Sequence, residues 1–372
     1  MTNQDRRQIL RMLGVVSTVS VLSSSEKSLF AGDNFIVTEE GVYDLGEFAL
    51  ESGTVLPGAK VAYKTHGRLN SAKNNVILYP TQIGAQHNDI EWLIGSGKAL
   101  DTTRYFIVVL DQLGNGLSSS PSNTPPPFDR ARFPAINIRD DVAAQHRLVT
   151  EHFGIRHIAL VVGYSMGAQQ TYQWAVSHPE MVERIAPFCG TAKTTPHNAV
   201  FLQSLRAALT TDAAWMAGDY REQPVLGMKA LARVYAAWGL SQEFYKQELW
   251  RSMGFDTLEA FVAGFWEKRY GRRDANNLLS MIRTWEANDV GATPGMKGGA
   301  RRALASIKAK ATIMASGTDL YFTVKDMKAE AALVPKASFR VIPSLWGHMA
   351  GAGLNAPDSM VIESELQELL AR

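Results

Sequence analysis

The sequence lacks most of the features that would set it apart from an ordinary globular chain. It carries one cysteine, Cys189, in 372 residues, so no intramolecular disulfide can form and cysteine usage leaves the redox compartment open. It has no run of about 20 apolar residues, the length a transmembrane helix needs, so stable membrane insertion is not expected. Long basic runs and basic-aromatic alternation are missing too, and the formal net charge is only +2, so no nucleic-acid partner is expected. No His-Glu-x-x-His or comparable ligand cluster occurs, so neither a metal nor an organic cofactor is called for. There is no internal repeat. What remains is 46% hydrophobic and 20% charged, enough to bury a large core as one domain with an insertion or as two domains.

The first thirty residues bear on location. Arg6-Arg7-Gln8-Ile9-Leu10 is followed by a modestly apolar, Ser-rich stretch without an acidic residue, and this is similar to a twin-arginine export signal. Residues 1–31 are therefore expected to direct the protein to the periplasm or outside the cell, with the mature chain starting near Gly32. The alternative is a cytoplasmic tail.

The most informative segment is Gly163-Tyr164-Ser165-Met166-Gly167. It follows His157-Ile-Ala-Leu-Val-Val162, a short branched apolar run suited to a buried parallel strand. Residues 166–177 then read as a helix ending at His178-Pro179. A serine on such a strained strand-to-helix turn is presented as a nucleophile, with flanking glycines that let the backbone pass close to its neighbours.

Around this elbow the chain alternates strand and helix signals. Residues 35–37, 43–50 and 60–66 read as opening antiparallel strands, and 75–79, 104–110, 158–162, 182–188, 311–315 and 339–342 as short buried strands. That alternation predicts an α/β fold of the α/β-hydrolase type, with a mostly parallel central sheet built from residues 32–193 and 300–372. Between 194 and 299 the strand signals stop. Five of the eight tryptophans, Trp215, Trp238, Trp250, Trp266 and Trp285, fall in this stretch, which predicts an inserted helical lid cored by aromatics. Gly95-Ser-Gly-Lys98 is no phosphate loop, because Ala99 and Trp92 replace the required Ser/Thr and first glycine.

A serine nucleophile needs a base, and the base needs a carboxylate, in the chain order Ser, acid, His. Asp319 follows the strand at 311–315 through Ser316-Gly317-Thr318, and His348 lies just beyond the last strand. Asp326 and Glu330 fall inside the next helix, and the other seven histidines have no matching strand-end context; His66, His146, His152, His157 and His178 read as surface or packing residues. The expected triad is Ser165, Asp319 and His348. The oxyanion hole needs two backbone amides; Met166 supplies one, and Gln82 or alternatively Thr81, in the loop after the strand at 75–79, supplies the other.

Several segments resemble the homoserine O-acetyltransferase family. They are Val61-Ala-Tyr-Lys-Thr-His-Gly-Arg-Leu-Asn70, Gly95-Ser-Gly-Lys-Ala-Leu-Asp101, Arg139-Asp140, the serine elbow with Trp174-Ala175, and lid positions from Arg206 to Ala232-Arg233. The resemblance implies the same triad, an acyl-serine, and a dimer formed through the lids. It also implies a carboxylate clamp at Arg233, which could equally be paired with a lid acid. The transferases carry Asp directly after the histidine and a lid tyrosine seven residues after the Ala-Arg arginine, where this chain has Met349 and Leu240. These departures, with the Gly167 to Gln170 run, are more similar to an ester-hydrolysing branch that uses water as acceptor. A serine carboxylic ester hydrolase acting on small acetyl-type esters is therefore expected, with Arg233, Leu240 and Met349 at the substrate pocket. An O-acyltransferase using acetyl-CoA and a non-catalytic ligand-binding relative are the alternatives.

Overall fold

The computed structural model describes residues 37–372. The expected export signal, and the first two residues of the strand expected at 35–37, lie outside them. Eight strands form one sheet in the order β1-β2-β4-β3-β5-β6-β7-β8. β1 (Thr38–Ala49) and β2 (Val55–His66) are antiparallel to each other, and β2 is antiparallel to β4 (Phe106–Leu110). From β4 onward β3 (Val76–Pro80), β5 (Leu160–Tyr164), β6 (Arg184–Phe188), β7 (Lys310–Ser316) and β8 (Ala337–Ile342) run parallel. The inner strands β3, β4 and β5 are buried along their whole length, which is why they read as unbroken apolar runs.

The opening strands differ from expectation. β1 is one twelve-residue strand broken by register shifts at Asp44/Gly46 and Gly46/Phe48. Its polar start was hard to see as strand because this edge is exposed to water on both faces. β2 begins at Val55 and contains Pro57; β4 covers only Tyr63 to His66, so the proline falls where β2 has a free edge and costs no ladder bond on that side.

The strand order reverses at β3. The chain passes from β3 to β4 on one side and returns with β5 on the other, so the loops after β3 and β5 diverge and leave a crevice at the carboxyl end of the sheet. Helix α1 (Ile138–Arg147) is capped by Asn137, which accepts from the amides of Arg139 and Asp140. It packs beside α2 (Met166–Ser177). Between β6 and β7 the elements are helical, the longest being α3 (Pro196–Thr210), α4 (Val225–Gly239) and α5 (Ala275–Glu286). Trp250, Trp266 and Trp285 are buried there, while Trp215 and Trp238 are half-buried. After β7 come α6 (Val324–Ala331) and, after β8, α7 (Ala356–Ala371). Among the described residues no helix is long and apolar enough to cross a membrane.

One packing detail carries a pH signature. His178 ends α2 and stacks on His146, with ring centroids 4.0 Å apart and planes 7° from parallel. Burial, reinforced by His146, pushes His178 down to about 4 from its ordinary 6.5. Above pH 6.5 the imidazole is neutral folded or unfolded. As pH falls below that value the unfolded chain takes up a proton that the folded one refuses, and stability declines until about pH 4, where the folded protein protonates as well. The slope is at most about 1.4 kcal/mol per pH unit, and less for a ring with some solvent access. His178→Phe keeps the stack and removes the titration. The wild-type melting temperature should therefore fall more steeply than the variant's between about pH 7 and about pH 5. Equal declines would place the acid-labile element elsewhere.

Candidate active site

Ser165 sits between β5 and α2 with φ 58° and ψ −121°, a conformation that costs a non-glycine residue of order 1–3 kcal/mol and persists only where the surroundings impose it. They do. The Ser165 amide donates to the Phe188 carbonyl at 3.1 Å, and its own carbonyl accepts from the amides of Ala168 and Gln169 at 2.9 and 3.2 Å. The two glycines of the elbow are sterically required. A Cβ at Gly163 would lie 2.1 Å from the Gly167 carbonyl oxygen, and one at Gly167 would lie 2.5 Å from the Pro80 oxygen. The second contact presses α2 against the loop after β3.

The acid and the histidine arrive from the far side of the sheet. Asp319, in the turn after β7, accepts from the amides of Tyr321 and Phe322 on Oδ1 at 3.1 and 3.0 Å. Its Oδ2 lies 2.7 Å from His348 Nδ1, and His348 Nε2 lies 2.9 Å from Ser165 Oγ. Thr318 joins the two loops, accepting from the Gly347 amide at 3.0 Å and donating to the Ser344 carbonyl at 2.8 Å. Ser165, Asp319 and His348 are all buried, at 0, 6 and 2% exposure, so their mutual electrostatics are little screened by water. The expected Ser–His–Asp set is thus brought together at hydrogen-bond distance.

Sequence reasoning missed the residues that hold the imidazole. Tyr164 stacks on it with centroids 4.7 Å apart, Tyr321 lies at 4.6 Å and Phe322 at 5.5 Å. The Tyr164 hydroxyl also donates to the His348 carbonyl at 2.9 Å. Trp285 of α5 stacks on Phe322 at 5.4 Å, so one of the tryptophans of the inserted helices packs onto the ring that faces the histidine. The signal for Tyr321 and Phe322 was their position, two and three residues after the acid whose oxygen their amides bind.

Of the two loop residues weighed for the oxyanion hole, Thr81 has its amide committed to the Leu110 carbonyl at 2.9 Å. The Gln82 amide has no such bond among the described residues, and the Met166 amide opens α2, where the first N–H groups lack intrahelical acceptors. Leu240 and Met349 are both buried. Leu240 Cα lies 2.9 Å from where a Cβ on Gly347 would be, so its backbone borders the turn that carries His348, and Met349 is in that same turn.

Of the two readings open for Arg233, the structure has the pairing with acids of the inserted helices: it is exposed on α4, its Nε donates to Glu267 at 2.6 Å and its remaining nitrogens engage Glu259. Two carboxylates of the chain itself already occupy the guanidinium. His87 does have a strand-end acid. Its Nδ1 lies 2.6 Å from Oδ2 of Asp111, which directly follows β4, and its amide donates to Oδ1 at 3.0 Å. Its other ring nitrogen faces Glu40 at 3.5 Å rather than a nucleophile, so this second His–Asp couple braces the loop after β3. Among the described residues no group of three or more His, Cys, Asp or Glu is arranged to hold a metal ion.

Comparison with known proteins matches these features. The profile of the alpha/beta hydrolase fold matches residues 75–351. The chain is 40% identical to the ethyl acetate hydrolase of Pseudomonas veronii over 346 residues, 91% of this chain and 99% of that protein. It is 31% identical to the homoserine O-acetyltransferase of Trichormus variabilis, covering 85% of this chain and 91% of that one. Among solved structures, the acetyl esterase MekB superposes with a TM-score of 0.87 at 39% identity, covering 90% of this chain and 97% of that chain.

Proposed function

This chain belongs to the α/β-hydrolase fold family, in the group that joins acetyl-ester hydrolases to homoserine O-acetyltransferases, and from that premise we propose that it hydrolyses short acetyl esters of the ethyl acetate kind through an acyl enzyme at Ser165. The observation that carries the reading is the buried chain from Ser165 Oγ through His348 to Asp319, at 2.9 and 2.7 Å. Asp319 accepts a hydrogen bond from the Nδ1–H, which keeps the proton on Nδ1 and leaves Nε2 as the base. His348 takes the Ser165 proton as Oγ attacks the ester carbonyl, and the developing oxyanion is met by the Met166 and Gln82 amides. The alcohol departs with the proton from His348. Water, activated by the same imidazole, then attacks the acetyl-serine and releases acetate.

Water rather than an amino acid is favoured as acceptor by what surrounds His348. Buried Met349 and Leu240 stand where the transferases carry a carboxylate and a phenol, and Arg233 is held by Glu259 and Glu267. At these two positions a zwitterionic acceptor would meet apolar side chains in place of a carboxylate for its ammonium group, and an unmatched buried charge costs several kcal/mol. Acyl transfer needs an acceptor held at an effective molarity that outcompetes water. Acetate release from a short acetyl ester should therefore be rapid without CoA and should not be diverted by added homoserine. Acetylhomoserine formed from acetyl-CoA faster than acetate is released from the ester would overturn this reading.

A further inference from the structure

A chain of buried side-chain amides ends on the peptide group that carries the second oxyanion donor. The Trp174 indole N–H donates to Gln145 Oε1 at 2.8 Å, and Gln145 Nε2 donates to Gln170 Oε1 at 2.6 Å. Gln170 Nε2 then donates to the Thr81 carbonyl at 2.9 Å, and more weakly to the Met166 carbonyl at 3.3 Å. Trp174, Gln145 and Gln170 are all buried. The sense of the chain is forced, because an indole N–H only donates and a carbonyl only accepts. Flipping either glutamine would set donor against donor or acceptor against acceptor.

The Thr81 carbonyl and the Gln82 N–H belong to one planar peptide unit and point in opposite directions. A bond that fixes the carbonyl therefore fixes where the N–H is aimed. The residue is also held by the bond from the Thr81 amide to Leu110 and by the Gln112 amide, which donates to Thr81 Oγ1 at 3.1 Å. Neither of these touches the 81–82 peptide plane. Among the described residues only Gln170 does so, from the helix that begins at the nucleophile, and the close approach of α2 to Pro80 at Gly167 brings it within reach.

We propose that Gln170 is a positioning residue for ester hydrolysis: ordered by Gln145 and Trp174, its carboxamide holds the Thr81–Gln82 peptide in the orientation that presents the Gln82 N–H to the oxyanion. The alternative orientation would turn the Thr81 carbonyl dipole against the developing negative charge. Successive amide hydrogen bonds also polarise one another, which strengthens the N–H at the end of the chain. The inference rests on the reading of Ser165 and the Gln82 amide given above.

Gln170→Met keeps the length of the side chain and removes both amide functions. Loss of an oxyanion donor lowers kcat by about 100- to 1,000-fold, and a misaimed one should lower it about 10- to 100-fold, with KM changing less than about threefold. Affinity for a boronic acid that forms a tetrahedral adduct should fall by the same factor as kcat/KM, while a non-hydrolysable ester analogue should bind as before. An unchanged kcat and boronate affinity, or an equal loss of boronate and analogue binding, overturns the positioning role. Ser165→Ala is assayed alongside: if it retains turnover, the reading of the site falls and this inference with it, whereas an inactive Ser165→Ala beside an unaffected Gln170→Met overturns the inference alone. If Gln170→Met fails to fold, Gln145→Met is read in its place, with kcat expected to fall about 3- to 10-fold at constant KM; an unchanged kcat there overturns the proposal.

Discussion

Ser165→Ala should lower kcat/KM for a short acetyl ester by roughly four to six orders of magnitude while leaving the protein folded. On the proposed mechanism no other group can form the acyl intermediate, and what survives is the modest acceleration from binding and the oxyanion donors. The fold should tolerate the change. Among the described residues the Ser165 hydroxyl has one side-chain partner, His348 Nε2 at 2.9 Å, and the strained backbone at φ 58° is held by main-chain bonds to Phe188, Ala168 and Gln169, all of which alanine retains. Initial rates of acetate release, with thermal unfolding of both proteins as the control, make the comparison. A loss below about a hundredfold in a folded variant would mean that another nucleophile carries the reaction.

Asp319→Asn should cost about 10³- to 10⁴-fold in kcat, for a reason specific to this site. Oδ1 of Asp319 accepts from two backbone amides, those of Tyr321 and Phe322. An asparagine must offer its carbonyl oxygen to those donors, because its amino group cannot accept. Its Nδ2 is thereby turned toward His348 Nδ1, now 2.7 Å from Oδ2. The imidazole must accept there, so its proton moves to Nε2 and points at Ser165. The histidine then has the wrong tautomer to remove the serine proton, although no atom of the ring has moved. Steady-state kinetics would show the fall in kcat, and an unaltered melting temperature would separate tautomer inversion from collapse of the loop. An Asp319→Asn protein within about tenfold of wild type would remove this carboxylate from the mechanism.

What was legible in the sequence followed from local chemistry. The buried strands announced themselves as apolar runs, and α2 starts and stops where its glycine-flanked serine and His178-Pro179 predict. Asp319 and His348 were readable because each lies in the loop after a strand, on the side where the loops gather. The edge of the sheet was less readable: the first residues of β1 are exposed on both faces and carry no alternation, and Pro57 disguised a strand that has no neighbour on one side at that point. The sequence left Arg233 open between a clamp and an ion pair because its partners, Glu259 and Glu267, come 26 and 34 residues later on other helices. The bracing pair of His87 and Asp111 and the relay through Gln145 and Gln170 likewise depend on residues 24 and 25 positions apart. Side-chain identity suggests neither pairing. The pairing of β3 beside β4 brings His87 to Asp111, and the packing of α1 against α2, and of α2 against the loop after β3, builds the relay.

The central claim is that turnover passes through an acyl group on Ser165, and one covalent labelling measurement tests it most directly. The protein is treated with a small alkyl fluorophosphonate, which reacts with a serine activated as a nucleophile; the modified residue is located by peptide mass spectrometry while the remaining hydrolysis of a short acetyl ester is followed. The account predicts one label per chain, on Ser165, with activity lost in step with labelling. A label on any other residue as activity disappears, or full activity with Ser165 completely modified, would contradict it.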